Sequence, residues 1–408
     1  MHELSIEAPS GTFRGTAENG VRYFHSIPYS HIPSRFADAE KLGDQGIVDA
    51  REPQPDAVAL TITTPEDARD APVIVYIHGG RFESGTHEDP RAEGSANARA
   101  GIVEVQLGYR VGLAGLAKFP KDEYFRYRAI DDAQLGLEWI QRNIEAFGGD
   151  PTNVTLVGQS AGATIGLWLA RRDHYRGAFR RLVALSPCYP REPFETRKAT
   201  LRQILKVPIT RAGLAKLTDE QLAAGYAKFR KKFGFDMALG PSPLDPTQLA
   251  DIPIVLGSTR EEFANLGERF DRAPFPKAIG WYLAPKFGMR RERFSTWADL
   301  AGTKDIVGRL IGDGCIRRWV ELVGHNENTW MVEFVRDGNA LHCQELRPLF
   351  GVTESPLTGW LQRLARTGEP GFEPYHPEHA VWRFNLDTGE ATTTYGALDY
   401  VGQAFQED

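Results

Sequence analysis

Cysteine is scarce in this 408-residue chain: Cys188, Cys315 and Cys343 are the whole complement. An odd, widely spaced set of thiols is no disulfide framework. The chain has no His-Glu-x-x-His and no paired-cysteine ligand set, so no metal is expected, and GYRVGLAG lacks the spacing of a dinucleotide fingerprint, so no cofactor is expected either. No run of about 18 apolar residues occurs, which excludes a helical membrane span. Residues 1–15, MHELSIEAPSGTFRG, lack the basic start and apolar core of a signal peptide. A cytoplasmic protein is the expectation. The net charge of −6 is mild, and pairs such as Arg171-Arg172 and Arg290-Arg291 are isolated. That leaves no basic footprint for nucleic acid. Internal repeats and low-complexity tracts are missing too.

What is present is an ordinary globular balance, with 41% hydrophobic and 25% charged residues. Apolar runs of strand length occur at 73–78, 102–107, 154–157, 182–185 and 252–256. Helical patterns lie between them at 91–100, 131–146 and 161–172. This alternation predicts a doubly wound, mostly parallel sheet with helices on both faces. Residues 1–65 read as short strands and turns. Two stretches break the rhythm. Residues 188–250 are charged and helix-prone, with a capped amphipathic helix over 218–235. Residues 263–330 look irregular and are rich in Phe, Trp and Arg. Both read as insertions into a single domain spanning 1–408. They would form a reduced cap over the strand ends, where open α/β sheets bind ligands.

The most informative segment is 154–163, VTLVGQSAGA. A β-branched run stops at Gly158, Ser160 sits between two glycines, and small residues open a helix. Gly158-x-Ser160-x-Gly162 is the strand-to-helix elbow of the α/β-hydrolases. A nucleophile on so sharp a turn needs strained backbone, and glycines two residues either side remove the collisions. The helix start beneath it favours developing negative charge.

Several segments in the right order resemble the type-B carboxylesterase and cholinesterase family, in its bacterial carboxylesterase branch. FHSIPYS with Arg35-Phe36 is similar to that family's "GIPYA … RF". DAVALTITTP (56–65) is similar to "EDCLYLNVYTP", with Ala57 at the cysteine position of secreted members, which favours a reducing compartment. PVIVYIHGGRFESGT (72–86) resembles the oxyanion segment, and VEVQLGYRVGLAGLAKF (103–119) the strand and loop that follow. The resemblance implies an α/β-hydrolase fold with a mostly parallel twisted sheet. It also implies a Ser-His-Glu triad acting on small-molecule esters.

A serine hydroxyl needs a base, and the base an orienting acid, in the chain order nucleophile, acid, histidine. The late histidines are His325, His342, His376 and His379. His342 follows an apolar strand and opens GNALHCQELRPLFG, which resembles the family's "GAxHxxELxxxFG". His376 and His379 read as surface loop, and His325 as the start of a helical stretch. Cys343, beside His342, reads as a packing residue. Glu261 and Glu262 both follow the strand IPIVL. The family's "GxTxDEG" register implies Glu262, with Phe263 where the family often has glycine.

The oxyanion hole is expected from the N–H groups of Gly80, Arg81 and Ala161, with Gly79 supporting. Arg81 departs from the family's Gly or Ala. Its side chain either turns away to an acid such as Glu83 or reaches the pocket, where it would favour an acyl group bearing a carboxylate or another polar group. Gln159 replaces the family's glutamate and weakens any attraction for cationic esters. Ser186 is expected to hydrogen-bond the triad acid. Tyr29, Phe82, Trp281, Trp319 and Phe350 are either pocket wall or core. The predicted activity is carboxylic ester hydrolysis through an acyl-enzyme. Amide, lactone or thioester hydrolysis by the same triad is the alternative, and a non-catalytic adhesion protein on this fold the remote one.

Overall fold

Strand-length apolar runs separated by helical segments generate the architecture. The computed structural model describes residues 2–406 apart from 235, 243 and 303. Among these residues the main sheet has 13 strands. Its path uses β1 (His2–Ala8), β2 (Gly11–Glu18), β3 (Val21–Ile27), β4 (Leu60–Pro65), β5 (Ala71–Ile77) and β6 (Val103–Leu107). It continues with β7 (Gly149–Gln159), β8 (Arg181–Leu185), β9 (Ile254–Thr259), β10 (Thr329–Val335), β11 (Ala380–Asn385) and β12 (Ala391–Tyr395). The spatial order is β1-β2-β3-β4-β6-β5-β7-β8-β9-β10-β11-β12, with the short strand Ile47–Asp49 beside β2. Every pairing from β6 across to β11 is parallel. The two flanks are antiparallel along this path, while Ile47–Asp49 runs parallel to β2.

Both faces of the central strands are buried, which is why they read as unbroken apolar runs. Val73, Val75 and Ile77 face one core with Leu156, Ala184 and Leu256. Helices α2 (Arg128–Asn143) and α3 (Ala161–Leu169) cover that face, after the short α1 (Ser95–Arg99). Ile74 and Tyr76 point the other way, toward Val157, Val183 and Val255. The expected strand at 154–157 reaches back to Gly149, because Gly149 also pairs with Ala71 across a register shift. Polar Asp150, Thr152 and Asn153 hide that start from an apolar pattern.

Between β8 and β9 run α4 (Phe194–Leu205) and α5 (Asp219–Lys232). Thr218 caps α5 through a reciprocal box with Gln221. The last residue of that expected helix, Phe235, lies outside the described residues. Between β9 and β10 the irregular reading is overturned. This stretch is largely helical: α6 (Ala264–Asp271), α7 (Pro276–Leu283), α8 (Arg291–Ala301), α9 (Ile306–Gly312) and α10 (Arg318–Gly324). Turns at Gly288 and Gly302, both at positive φ, chop the apolar repeat into pieces too short to read. Helices α6 to α9 enclose a small core of their own around Phe287, Phe294, Trp297 and Leu310, while α10 packs on the main core through Trp319, Val320 and Val323. His325 is corrected as well: it follows the last residue of α10 rather than opening a helix. The 12-residue α11 (Pro356–Thr367) covers the second face through Leu357, Trp360, Leu361 and Leu364. Among the described residues no helix is long and apolar enough to cross a membrane.

Candidate active site

Four strand ends converge on one edge of the sheet. β5 ends before Gly79-Gly80-Arg81, β7 before Ser160, β9 before Glu262, and β10 before His342. Ser160 has φ 54° and ψ −119°, a conformation a side chain rarely adopts. The flanking glycines follow from contact. A Cβ on Gly158 would fall on the Gly162 carbonyl, and one on Gly162 on the Ile77 carbonyl. Gly79 lies against Ser160 Cβ and the Gln159 side chain, and Gly80, at φ 109°, has the Ser84 carbonyl where a Cβ would be. Among the described residues the N–H groups of Gly80, Arg81 and Ala161 have no acceptor.

Glu262 is fully buried, and His342 is 18% exposed at the side chain. His342 Nδ1 donates to Glu262 Oε2 at 2.5 Å. Glu262 Oε1 accepts from Ser186 Oγ at 2.6 Å and from Thr259 N at 2.9 Å. Glu261 is directed elsewhere: it pairs with Arg309 at 3.3 Å and accepts from Ala340 N at 3.0 Å. That clips the loop leading to His342, whose N–H donates to the Glu262 carbonyl at 2.9 Å. Burial is the largest single influence and lowers the imidazole pKa, but the interactions with Glu262 and Cys343 together outweigh it, and the net result is well above the usual histidine value. The Nε2 edge of His342 lies 3.4 Å from Gln159 Nε2, the neighbour of the nucleophile candidate. Ser160 Oγ itself faces Cys188 Sγ at 3.7 Å and makes no hydrogen bond to His342 here.

The Carboxylesterase family profile matches residues 2–206, half of the chain. The chain belongs to the carboxylesterase family. A para-nitrobenzyl esterase of Bacillus subtilis is 30% identical over 64% of this chain and 63% of its own length. The phenmedipham hydrolase of Pseudarthrobacter oxydans is 30% identical over 62% and 60%. The chain thus spans about three fifths of the length of these curated relatives. A solved para-nitrobenzyl esterase superposes with TM-score 0.80 at 23% identity, covering 98% of this chain and 99% of that one. That likeness shows the α/β-hydrolase fold.

Three departures from the carboxylesterase pattern now have positions. Phe263 packs its ring 4.8 Å from the His342 imidazole. Gln159 is fully buried, and its Oε1 has no partner among the described residues. Arg81 does not pair with Glu83. Glu83 is taken by Arg230 at 3.0 Å and the Tyr226 hydroxyl at 2.8 Å. The Arg81 side chain instead borders a cleft of about 620 Å³ with His342, Glu262 and Phe263.

The five aromatic candidates do not line this cleft. The Tyr29 hydroxyl donates to the Gly108 carbonyl, Phe82 is fully buried, and Phe350 packs on Tyr76 in the second core. Trp281 is exposed beside Arg291, and Trp319 borders a separate cavity with His325 and His379. Cleft residues that the sequence left unassigned include Arg230, Lys231, Leu266 and Leu341. The basic run KFRKK in α5 was the available signal, but it also fits a solvated helix end. Glu345 was missed too. It is buried three positions past His342, with neither carboxylate oxygen partnered among the described residues.

Proposed function

We propose that this protein hydrolyses carboxylic esters through an acyl-enzyme on Ser160. The observation that carries the reading is the 2.5 Å His342–Glu262 contact, with the Nε2 edge turned toward the elbow. Membership of the carboxylesterase family supports the ester as substrate.

His342 Nε2 takes the Ser160 proton as Oγ attacks the ester carbonyl carbon. The N–H groups of Gly80, Arg81 and Ala161 receive the negative oxygen, each worth roughly 3 kcal/mol. The carbon–alkoxy bond breaks, and His342 returns the proton to the departing alcohol. Water then attacks the acyl-enzyme with the same base, and Ser160 leaves. Glu262 fixes the Nδ1-protonated tautomer and stabilises the imidazolium. Its own position is held by Ser186 and Thr259.

Treatment of the protein with a fluorophosphonate probe tests this directly. Labelling of the native chain, together with p-nitrophenyl acetate hydrolysis, and loss of both in Ser160→Ala is the expected result. Full hydrolysis by a folded Ser160→Ala would overturn the reading.

A further inference from the structure

Arg81 stands where the family's smaller residues need no explanation and a cation does. It has φ 59°, and Phe82 beside it has φ 62°. Left-handed backbone disfavours residues with a Cβ, so a long side chain is kept here at a cost in strain. The guanidinium is poorly satisfied. Nη2 donates weakly to the Asp236 carbonyl at 3.4 Å, and Nε is buried without a partner among the described residues. Both acids nearby are already engaged. Glu83 is held by Arg230 and Tyr226, and the Asp236 carboxylate by Arg197 at 2.5 Å. No carboxylate among the described residues pairs with Arg81.

The position of this charge is bounded on two sides. Arg81 borders the 620 Å³ cleft with His342 and also a smaller cavity of about 230 Å³ with Met237, Ile311 and Cys315. Its charge also reaches Cys188: burial raises that thiol's pKa, while the Ser160 hydrogen bond and the His342 and Arg81 charges oppose the rise. Cys188 is the group touching Ser160 Oγ. The Arg81 charge is therefore felt at the thiol beside the reacting hydroxyl. Across the cleft, Lys231 is exposed and makes no ion pair with any described residue. The wall thus holds two uncompensated cations, plus Arg230 paired to Glu83. Its one acid, Glu262, is turned to His342.

We propose that Arg81 and Lys231 form a carboxylate-binding subsite, and that the substrates are esters carrying a carboxylate within a side chain's length of the scissile carbonyl. This rests on the ester-hydrolase reading above. Arg81 contributes twice, its N–H to the oxyanion and its guanidinium to the remote anion. A bound carboxylate would satisfy the orphaned Nε–H, and a planar fork suits that geometry. The carboxylate can sit on either half of the ester.

The test compares matched pairs: monoethyl glutarate against ethyl hexanoate, and 3-acetoxypropanoate against butyl acetate. The quantity read is the anionic-to-neutral ratio of kcat/KM within each protein, so any general loss of oxyanion stabilisation cancels. The expected wild-type ratio is tenfold or more in at least one pair. Arg81→Gln should lower it about tenfold, the scale of one charge-assisted hydrogen bond. Lys231→Gln, on the exposed helix end, should lower it a few-fold and serves if Arg81→Gln fails to fold. Ratios near one in both pairs, or ratios that neither substitution changes, would overturn the subsite. Failure of the wild type to turn over any of the four esters while it still hydrolyses p-nitrophenyl acetate overturns the substrate claim alone; loss of p-nitrophenyl acetate hydrolysis as well sinks the hydrolase reading. Calorimetric titration with glutarate then judges the subsite alone: binding that Arg81→Gln or Lys231→Gln weakens supports it, and no binding ends it.

Discussion

Ser186 Oγ donates to Glu262 Oε1 at 2.6 Å across 76 positions of sequence. Ser186 has φ 52°, a strained backbone directly after β8, and that turn aims its hydroxyl at the buried acid. The bond shares the Glu262 charge between Ser186, Thr259 and His342. Ser186→Ala removes one of the three anchors. We expect kcat for p-nitrophenyl acetate to fall about tenfold, since a hydrogen bond to a charged group is worth roughly 1.5–3 kcal/mol. KM should stay within about twofold. Steady-state kinetics separate the two, and a raised KM at unchanged kcat would mean that Ser186 supports the cleft wall instead.

The pH profile follows from the sign of the His342 shift. Burial, the largest single influence, favours the neutral imidazole; Glu262 and Cys343 favour the cation and together prevail, so the pKa lies well above 6.5. The base works only when neutral. The rising limb of kcat/KM should therefore have its midpoint above pH 6.5. In Glu262→Gln the attraction goes and the burial stays, so the midpoint should move to lower pH. Turnover should fall by roughly 1,000- to 10,000-fold as the tautomer is lost. Gln159→Glu should move the midpoint up, because it returns a negative charge beside the imidazole. A limb that stays at the same pH in all three proteins would show that His342 is not the titrating base.

The elbow and the strands around it were legible because short-range sterics dictate them. Gly158 and Gly162 leave no alternative on backbone contact alone. The choice between Glu261 and Glu262 depended on register and not on chemistry. The structure separates them by direction, one toward Arg309 and one toward His342. The fate of Arg81 was not legible. A neighbouring acid, Glu83, offered a local partner, but α5 brings in Arg230 and Tyr226 from about 145 positions away and takes that acid first. The helices between β9 and β10 escaped for a different reason. Their apolar faces pack against one another and the C-terminal helix residues Val401 and Phe405, so no single long stripe forms.

Glycine substitutions give opposite signs at two helical sites. At Gly162, in the first turn of α3, a Cβ would meet the Ile77 carbonyl and backbone would have to move. Gly162→Ala should lose about 3 kcal/mol or more of stability, a magnitude reserved for steric conflict in a packed region. At Gly359, inside α11 and exposed, a Cβ would meet nothing within 4 Å. Gly359→Ala should gain about 0.5–1 kcal/mol, because alanine loses less backbone freedom on folding. Urea denaturation measures both. Equal effects at the two positions would contradict the packing described for the elbow.

Glu345 sets a pH dependence of stability distinct from that of catalysis. Burial, reinforced by the Glu262 charge, pushes its carboxyl up to about 7, from an ordinary 4.5. The folded protein therefore binds this proton more tightly than the unfolded chain does. The associated stability is fully present below about pH 4.5 and is lost as pH rises through about 7, an effect on the order of 1–3 kcal/mol. Above that pH an unpartnered charge sits in the core and is repelled by Glu262. Glu345→Gln keeps the shape and removes the titration. Relative to the native chain, the variant should be more stable at about pH 8 than at about pH 5, read from denaturant midpoints at each pH. A variant-minus-native difference that stays constant across this range would show that Glu345 does not change its charge there on unfolding.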